Sequence, residues 1–272
     1  MVVNMIYNSK NNVIELDDTT VNYISFGTGE RNLIIIPGLG DGLKTVKGLA
    51  LPFSIMYKMF AKRFKVYVFS RKNDLEDDYN TIDMAKDIKN ILDKINVDKT
   101  SVVGVSQGGM IAQYIAINYP ELVEKLVLVV TLSKQNEIVN ERVNKWIKYA
   151  ENNNYKDLFI DTMENSYQDE TLNKYRKIYP VLTRVGKPKD FNRFLIEAKA
   201  CLTHNAYKKL SKIKCPTLII GGGKDNIVGV EASREIHEKI KNSELFIYDD
   251  YGHGVYEEAK DFNKRVYDFL VK

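Results

Sequence analysis

Apolar positions along the chain fall into two alternating rhythms. Residues 13–16 and 21–26 alternate apolar with polar and predict an antiparallel pair around Asp17-Asp18-Thr19-Thr20. Residues 33–36, Leu-Ile-Ile-Ile, form an unbroken apolar run, as expected of a strand buried on both faces. A helix is expected over 55–64 and a strand over 65–70. After the polar stretch 71–80, Ile82, Ala85, Ile88, Ile91, Leu92 and Ile95 share one helical face. Further buried strands are expected at 101–105 and 126–130, with a helix between them ending at Tyr119-Pro120. The rhythm then breaks. From Thr131 to about Tyr207 the chain is rich in Asn, Lys and Tyr, with helical spacing and no buried strand. Strand rhythm returns at 216–220, followed by helix 231–241, strand 245–248 and helix 260–271. Alternating strands and helices with apolar strands predict an α/β protein, its mostly parallel sheet covered on both faces. Its core is expected over 1–130 and 208–272, with 131–207 a helical cap inserted between two strands. That insertion carries Trp146, Ile147, Tyr149, Leu158, Phe159, Tyr175, Ile178, Phe191 and Phe194, too many apolar residues for a solvated loop.

Composition narrows the class only slightly. The 40 basic and 36 acidic residues among 272 leave a net charge of +4, with the signs interspersed. Neither a nucleic-acid footprint nor a membrane-surface patch is expected. No run is long enough to span a membrane, and residues 1–8 lack the pattern of a secretory leader. A cytoplasmic protein is the expectation. Cys201 and Cys215 lack metal-ligand spacing, so no metal is expected; two buried thiols fit that compartment, while a disulfide stays open.

Candidate chemistry centres on Gly104-Val105-Ser106-Gln107-Gly108. A strand leads in and a helix leads out, the setting of a nucleophile elbow. The flanking glycines permit the tight turn that would lift the Ser106 hydroxyl clear of the sheet. The amide of Gln107 would open the next helix, where unpaired N–H groups favour a developing negative charge. A serine needs a base, and the chain has only three histidines. His237 lies within an amphipathic helix and His204 ends the insertion. His253 sits in the glycine-flanked loop Tyr251-Gly252-His253-Gly254 just after a strand, which makes it the candidate base. Asp225 in Gly223-Lys224-Asp225 follows another strand and is the candidate acid. The competing position after strand 126–130 offers no acid before Glu137. Nucleotide-binding readings fail. Leu43 stands where the dinucleotide fingerprint needs its third glycine, and Asp225 where a phosphate loop needs Ser or Thr.

The order Ser106, Asp225, His253, with Pro37-Gly38-Leu39-Gly40 after the first apolar strand, resembles the α/β-hydrolase superfamily over essentially the whole chain. The tail from Glu257-Glu258 to Phe269-Leu270 resembles the last helix of lactonase- and esterase-like members. The resemblance implies roughly eight strands, no cofactor, and acyl transfer from a small-molecule carbonyl substrate. It implies a second oxyanion amide at Leu39, although Pro37-Gly38 stands where members often have His-Gly. An ester, thioester or lactone hydrolase is expected. The alternatives are hydrolysis of a carbon–carbon bond in a diketone and a slow-turnover ligand sensor on the same fold. A serine at 106 disfavours haloalkane dehalogenation, which would need Asp there.

Overall fold

The computed structural model describes residues 7–17 and 19–272. The expectation for the N-terminal leader therefore falls mostly outside the described residues, as does Asp18 in the first turn. Eight strands form one sheet: β1 (Lys10–Leu16), β2 (Thr19–Phe26), β3 (Arg31–Ile36), β4 (Phe64–Lys72), β5 (Thr100–Val105), β6 (Val123–Val129), β7 (Thr217–Gly222) and β8 (Ser243–Tyr248). Their spatial order is β1-β2-β4-β3-β5-β6-β7-β8. The first two pairings are antiparallel and all others parallel.

Period-two geometry splits the apolar runs between two cores. On β3, Ile34 and Ile36 face one core while Leu33 and Ile35 face the other. The first face is covered by α2 (Thr81–Lys94) and α3 (Gln107–Asn118), joined by α9 (Val230–Lys239). The second is covered by α1 (Ala50–Met56) and by the C-terminal α11 (Phe262–Val271). Between β6 and β7 the chain forms five helices: α4 (Glu137–Glu151), α5 (Tyr155–Ser166), α6 (Asp169–Tyr175), α7 (Tyr179–Val185) and α8 (Asn192–Thr203). The short α10 (Val255–Glu258) follows β8.

Two local expectations are corrected. The helix expected over 55–64 runs instead over Ala50–Met56, with successive turns from Tyr57 to Arg63. Pro52 is accommodated in its first turn, where no intrahelical N–H bond is lost. Tyr57, Phe60, Ala61 and Phe64 are buried at helical spacing, and that spacing hid the break. Ile82 is exposed, because at about 100° per residue it lies beyond the edge of the face formed by Met84, Ala85, Ile88, Ile91 and Leu92. What starts α2 is polar: Asn80 caps the amides of Ile82 and Asp83, and Asp83 returns a bond to the Asn80 amide. Among the described residues no helix is long and apolar enough to cross a membrane, and both cysteines are free thiols.

Candidate active site

Strand β5 ends at Ser106, whose φ of 53° lies in the left-handed region disfavoured for a residue with a side chain. Packing enforces the turn. A Cβ on Gly104 would meet the Gly108 carbonyl oxygen at 2.4 Å, and one on Gly108 would meet the Ile36 carbonyl oxygen at 2.0 Å. Neither position can accept a side chain while α3 leaves the sheet so steeply. The Ser106 amide donates to the Val129 carbonyl (2.9 Å), and its own carbonyl accepts from Thr131 Oγ1 (2.7 Å). The neighbouring strand thus holds the elbow on both sides.

The three candidate groups meet in one line. Asp225 Oδ1 accepts from the amides of Ile227 (2.8 Å) and Val228 (3.0 Å), which leaves Oδ2 aimed at His253 Nδ1, 2.8 Å away. An ionised carboxylate only accepts, so Nδ1 carries the proton and Nε2 is the free lone pair of the neutral ring. Nε2 lies 3.0 Å from Ser106 Oγ, whose hydroxyl can donate to it. Asp225 and His253 are both buried. Their loops are stitched together by Gly223 N–H to Tyr248 O and Lys224 N–H to Tyr251 O, each 2.9 Å. The other two histidines are elsewhere. His204 is buried against Tyr114 and bonds Thr81 Oγ1 (2.9 Å), and burial holds it neutral by lowering its pKa to about 3. His237 bonds Ser243 Oγ (2.8 Å).

Leu39 and Gln107 each occupy the first position of a helix, the 3₁₀ turn Leu39–Gly42 and α3 respectively. First-turn amides have no intrahelical partner, so both N–H groups are free to serve an anion. The Pro37-Gly38 loop lies against the serine: a Cβ on Gly38 would stand 3.2 Å from Ser106 Cβ.

Behind this loop lies a cluster that sequence reading missed. Arg71 Nη2 donates both to the Pro37 carbonyl and to Gln107 Oε1, each at 2.7 Å. One guanidinium therefore grips the two segments that carry the Leu39 and Gln107 amides. Asp41 accepts from Ser70 Oγ (2.6 Å), the Arg71 amide (3.0 Å) and Arg193 Nη2 (3.0 Å). Glu197, wholly buried on α8, lies 3.8 Å from Arg71 Nε and 3.3 Å from Arg193 Nη2. Burial pushes its carboxyl up to about 8 against the pull of Arg71 and Arg193, with Asp41 adding to the rise. The available signal was Ser70-Arg71-Lys72 continuing a buried strand, an unusual place for charge.

Ser106, His253 and Leu39 open into a cavity of about 350 Å³. Its walls are largely apolar: Phe53, Met56 and Tyr57 from the α1 side, and Trp146, Leu158, Met163 and Phe194 from the helices between β6 and β7. Of the nine apolar residues singled out in that insertion, Trp146, Leu158 and Phe194 line the cavity, whereas Ile178 is exposed. Trp146 is oriented by its indole N–H, which donates to Asp161 (2.9 Å). Among the described residues no cluster of His, Cys, Asp or Glu is arranged to hold a metal ion.

Comparison with known proteins agrees with the fold. Residues 31–260 match a family model described as alpha/beta hydrolase fold. The 2-hydroxy-6-oxononadienedioate/2-hydroxy-6-oxononatrienedioate hydrolase of Klebsiella pneumoniae is 29% identical over 198 residues, spanning 69% of this chain and 68% of its own. An alpha/beta hydrolase enzyme, MGS-M2, from a Medee basin deep-sea metagenome library superposes with a TM-score of 0.84 at 22% identity, covering 96% of this chain and 98% of that one. The enol-lactonase of Burkholderia xenovorans LB400 superposes with a TM-score of 0.81 at 17% identity, covering 96% and 100%.

Proposed function

The chain belongs to the α/β-hydrolase family, and from that premise we propose that it hydrolyses carboxylic esters, thioesters or lactones through an acyl-enzyme on Ser106. The reading is carried by one observation: the hydrogen-bonded line from Asp225 through His253 to Ser106 Oγ ends in a largely apolar cavity. Ser106 Oγ attacks the carbonyl carbon as its proton passes to His253 Nε2. The amides of Leu39 and Gln107 hold the oxyanion, and Asp225 stabilises the imidazolium. The imidazolium then protonates the departing alkoxide or thiolate. Water, deprotonated by the same nitrogen, cleaves the acyl-serine to the free acid and restores Ser106.

In this reading residues 131–207 form a cap on a core made of 1–130 and 208–272. Its α8 end is fixed, since Arg193 and Glu197 join the cluster behind the oxyanion turn and Gly42 packs on the Phe194 backbone. Substrate choice then rests with the wall residues Trp146, Leu158 and Phe194.

A second reading, hydrolysis of a carbon–carbon bond in a diketone, is favoured by the name of the Klebsiella pneumoniae relative. A dioate of the kind that name describes carries two carboxylates. The wall here offers Lys44 as its one Lys or Arg side chain among the described residues, beside the acids Asp41 and Glu257. An acyl chain without carboxylates suits such a wall better. A panel of chromogenic esters of increasing acyl length, run beside a lactone, a thioester and a vinylogous diketone acid, separates the readings. Ester turnover that rises with chain length by about fourfold per buried methylene is expected. Turnover of the diketone acid alone would replace the first reading by the second.

A further inference from the structure

One carboxylate on the cavity wall has no role in the hydrolysis just described. Glu257 stands four residues beyond His253, on α10, where the helices between β6 and β7 meet the core. There the Gly254 amide donates to the Ser166 carbonyl (2.7 Å) and the Gln168 amide to Glu258 (3.1 Å). Tyr167, at the C-terminal end of α5, donates its hydroxyl to Glu257 Oε2 at 2.8 Å. The rest of this end of the cavity is aromatic, with Phe53, Tyr57 and Tyr256 on the wall. Among the described residues no Lys, Arg or His nitrogen comes within 4.0 Å of the Glu257 carboxylate. Lys44 is exposed beyond the Leu39–Gly42 turn and forms no ion pair with it.

Glu257 is exposed at the rim of this wall, and its carboxylate has no counter-charge there. Crowding by protein atoms raises the Glu257 carboxyl above its ordinary value, against the Tyr167 hydrogen bond, and the nearby charge of Glu258 raises it further. A carboxylate beside phenol and phenyl faces is a complementary surface for a bulky, weakly hydrated cation, which gains both from the charge and from the ring quadrupoles. We infer that this end of the cavity is a subsite for an alkylated ammonium group, and that the ester cleaved at Ser106 carries such a group on its acyl or alcohol side. The inference rests on the proposed ester hydrolysis and narrows it to cationic substrates. It also gives Glu257 a role in refusing a second carboxylate, which it would repel.

The test pairs an acylthiocholine with the 3,3-dimethylbutyl thioester of the same acid, which matches it in shape and lacks the charge. The cationic substrate is expected to show kcat/KM about tenfold higher, the scale of one cation–aromatic contact added to one exposed ion pair. In Glu257→Gln, which keeps an acceptor for Tyr167, that ratio is expected to fall close to one. Calorimetry on the unaltered protein supplies a readout independent of turnover: tetramethylammonium should bind about tenfold more tightly than neopentyl alcohol. Equal kcat/KM for the two thioesters, or a ratio that survives Glu257→Gln, overturns the subsite. If no thioester or ester is cleaved, the proposed hydrolysis fails instead. Tetramethylammonium binding then decides the subsite alone, and its absence rejects it.

Discussion

The cavity wall and the cluster behind the Leu39–Gly42 turn are separated by one turn of backbone, yet they carry opposite kinds of side chain. In front, around Ser106, the wall is mostly aromatic and aliphatic, and the ionised Asp225 is reached only through His253. Behind, Arg71, Asp41 and Glu197 are buried and Arg193 is partly buried, with ion-pair distances of 3.0 to 4.0 Å among them. Charges are expensive in either place. In front they are kept few so that an acyl chain can displace water, and the one carboxylate engaged with the base is fully hydrogen-bonded. Behind, they fix backbone: Arg71 and Arg193 bond to the carbonyls of Pro37 and Asp41, and those bonds set where the Leu39 amide lies. In the proposed hydrolysis the front performs the chemistry and the back holds its geometry.

Breaking the front should cost the most rate and the least stability. Asp225→Asn keeps the shape but favours the wrong tautomer of His253, so kcat/KM should fall roughly 10²–10⁴-fold with unfolding little changed. Near-normal turnover would place the acid elsewhere. Breaking the back should cost both. Arg71→Met leaves Glu197 and Asp41 with only one of their two shared cations, Arg193, and releases the Pro37 and Gln107 segments. The expected losses are about 3–5 kcal/mol in denaturant unfolding and roughly 10²-fold in kcat with KM little changed, as for a small displacement of the oxyanion donors. Arg71→Lys, which restores the charge without the forked donors, should recover stability more than rate. Equal recovery of the two would mean that the arginine does not position the amides.

The mildest change sharpens the comparison. Because the folded Glu197 carboxyl is pushed up to about 8 from 4.5, the native protein keeps a proton that the unfolded chain has released between those values. Its contribution is therefore full below the unfolded value and is lost as pH rises through about 8. Glu197→Gln should flatten the fall in stability between pH 5 and 8 measured by urea unfolding. His204, lowered to about 3, titrates alike in both proteins and cancels from the difference. An identical slope in the two proteins would show that Glu197 stays ionised throughout.

How far each half could be read in the residues follows the same division. The strands 33–36, 101–105 and 126–130 announced themselves because burial on both faces leaves apolar residues at nearly every position. The candidates Ser106, Asp225 and His253 were legible because each closely follows a strand, with glycines marking a turn. The insertion of β4 between β2 and β3 was not legible, since parallel order depends on how crossovers pack and not on the strands themselves. The Arg71 cluster stayed hidden for another reason. Its three segments, at Asp41, Arg71 and Arg193 with Glu197, are separated by 30 or more residues, and isolated charges ordinarily mean solvent. Glu257 and Tyr167, 90 residues apart, meet only because α5 folds back over α10.

The central claim is that Ser106, and no other serine, is a nucleophile activated by His253. A fluorophosphonate probe followed by mass mapping of the labelled peptide tests it most directly. The account predicts one adduct on Ser106, complete loss of ester turnover in step with labelling, and no labelling of a folded Ser106→Ala protein. An adduct on Ser70 or Ser133, or full ester turnover by Ser106→Ala, would contradict it.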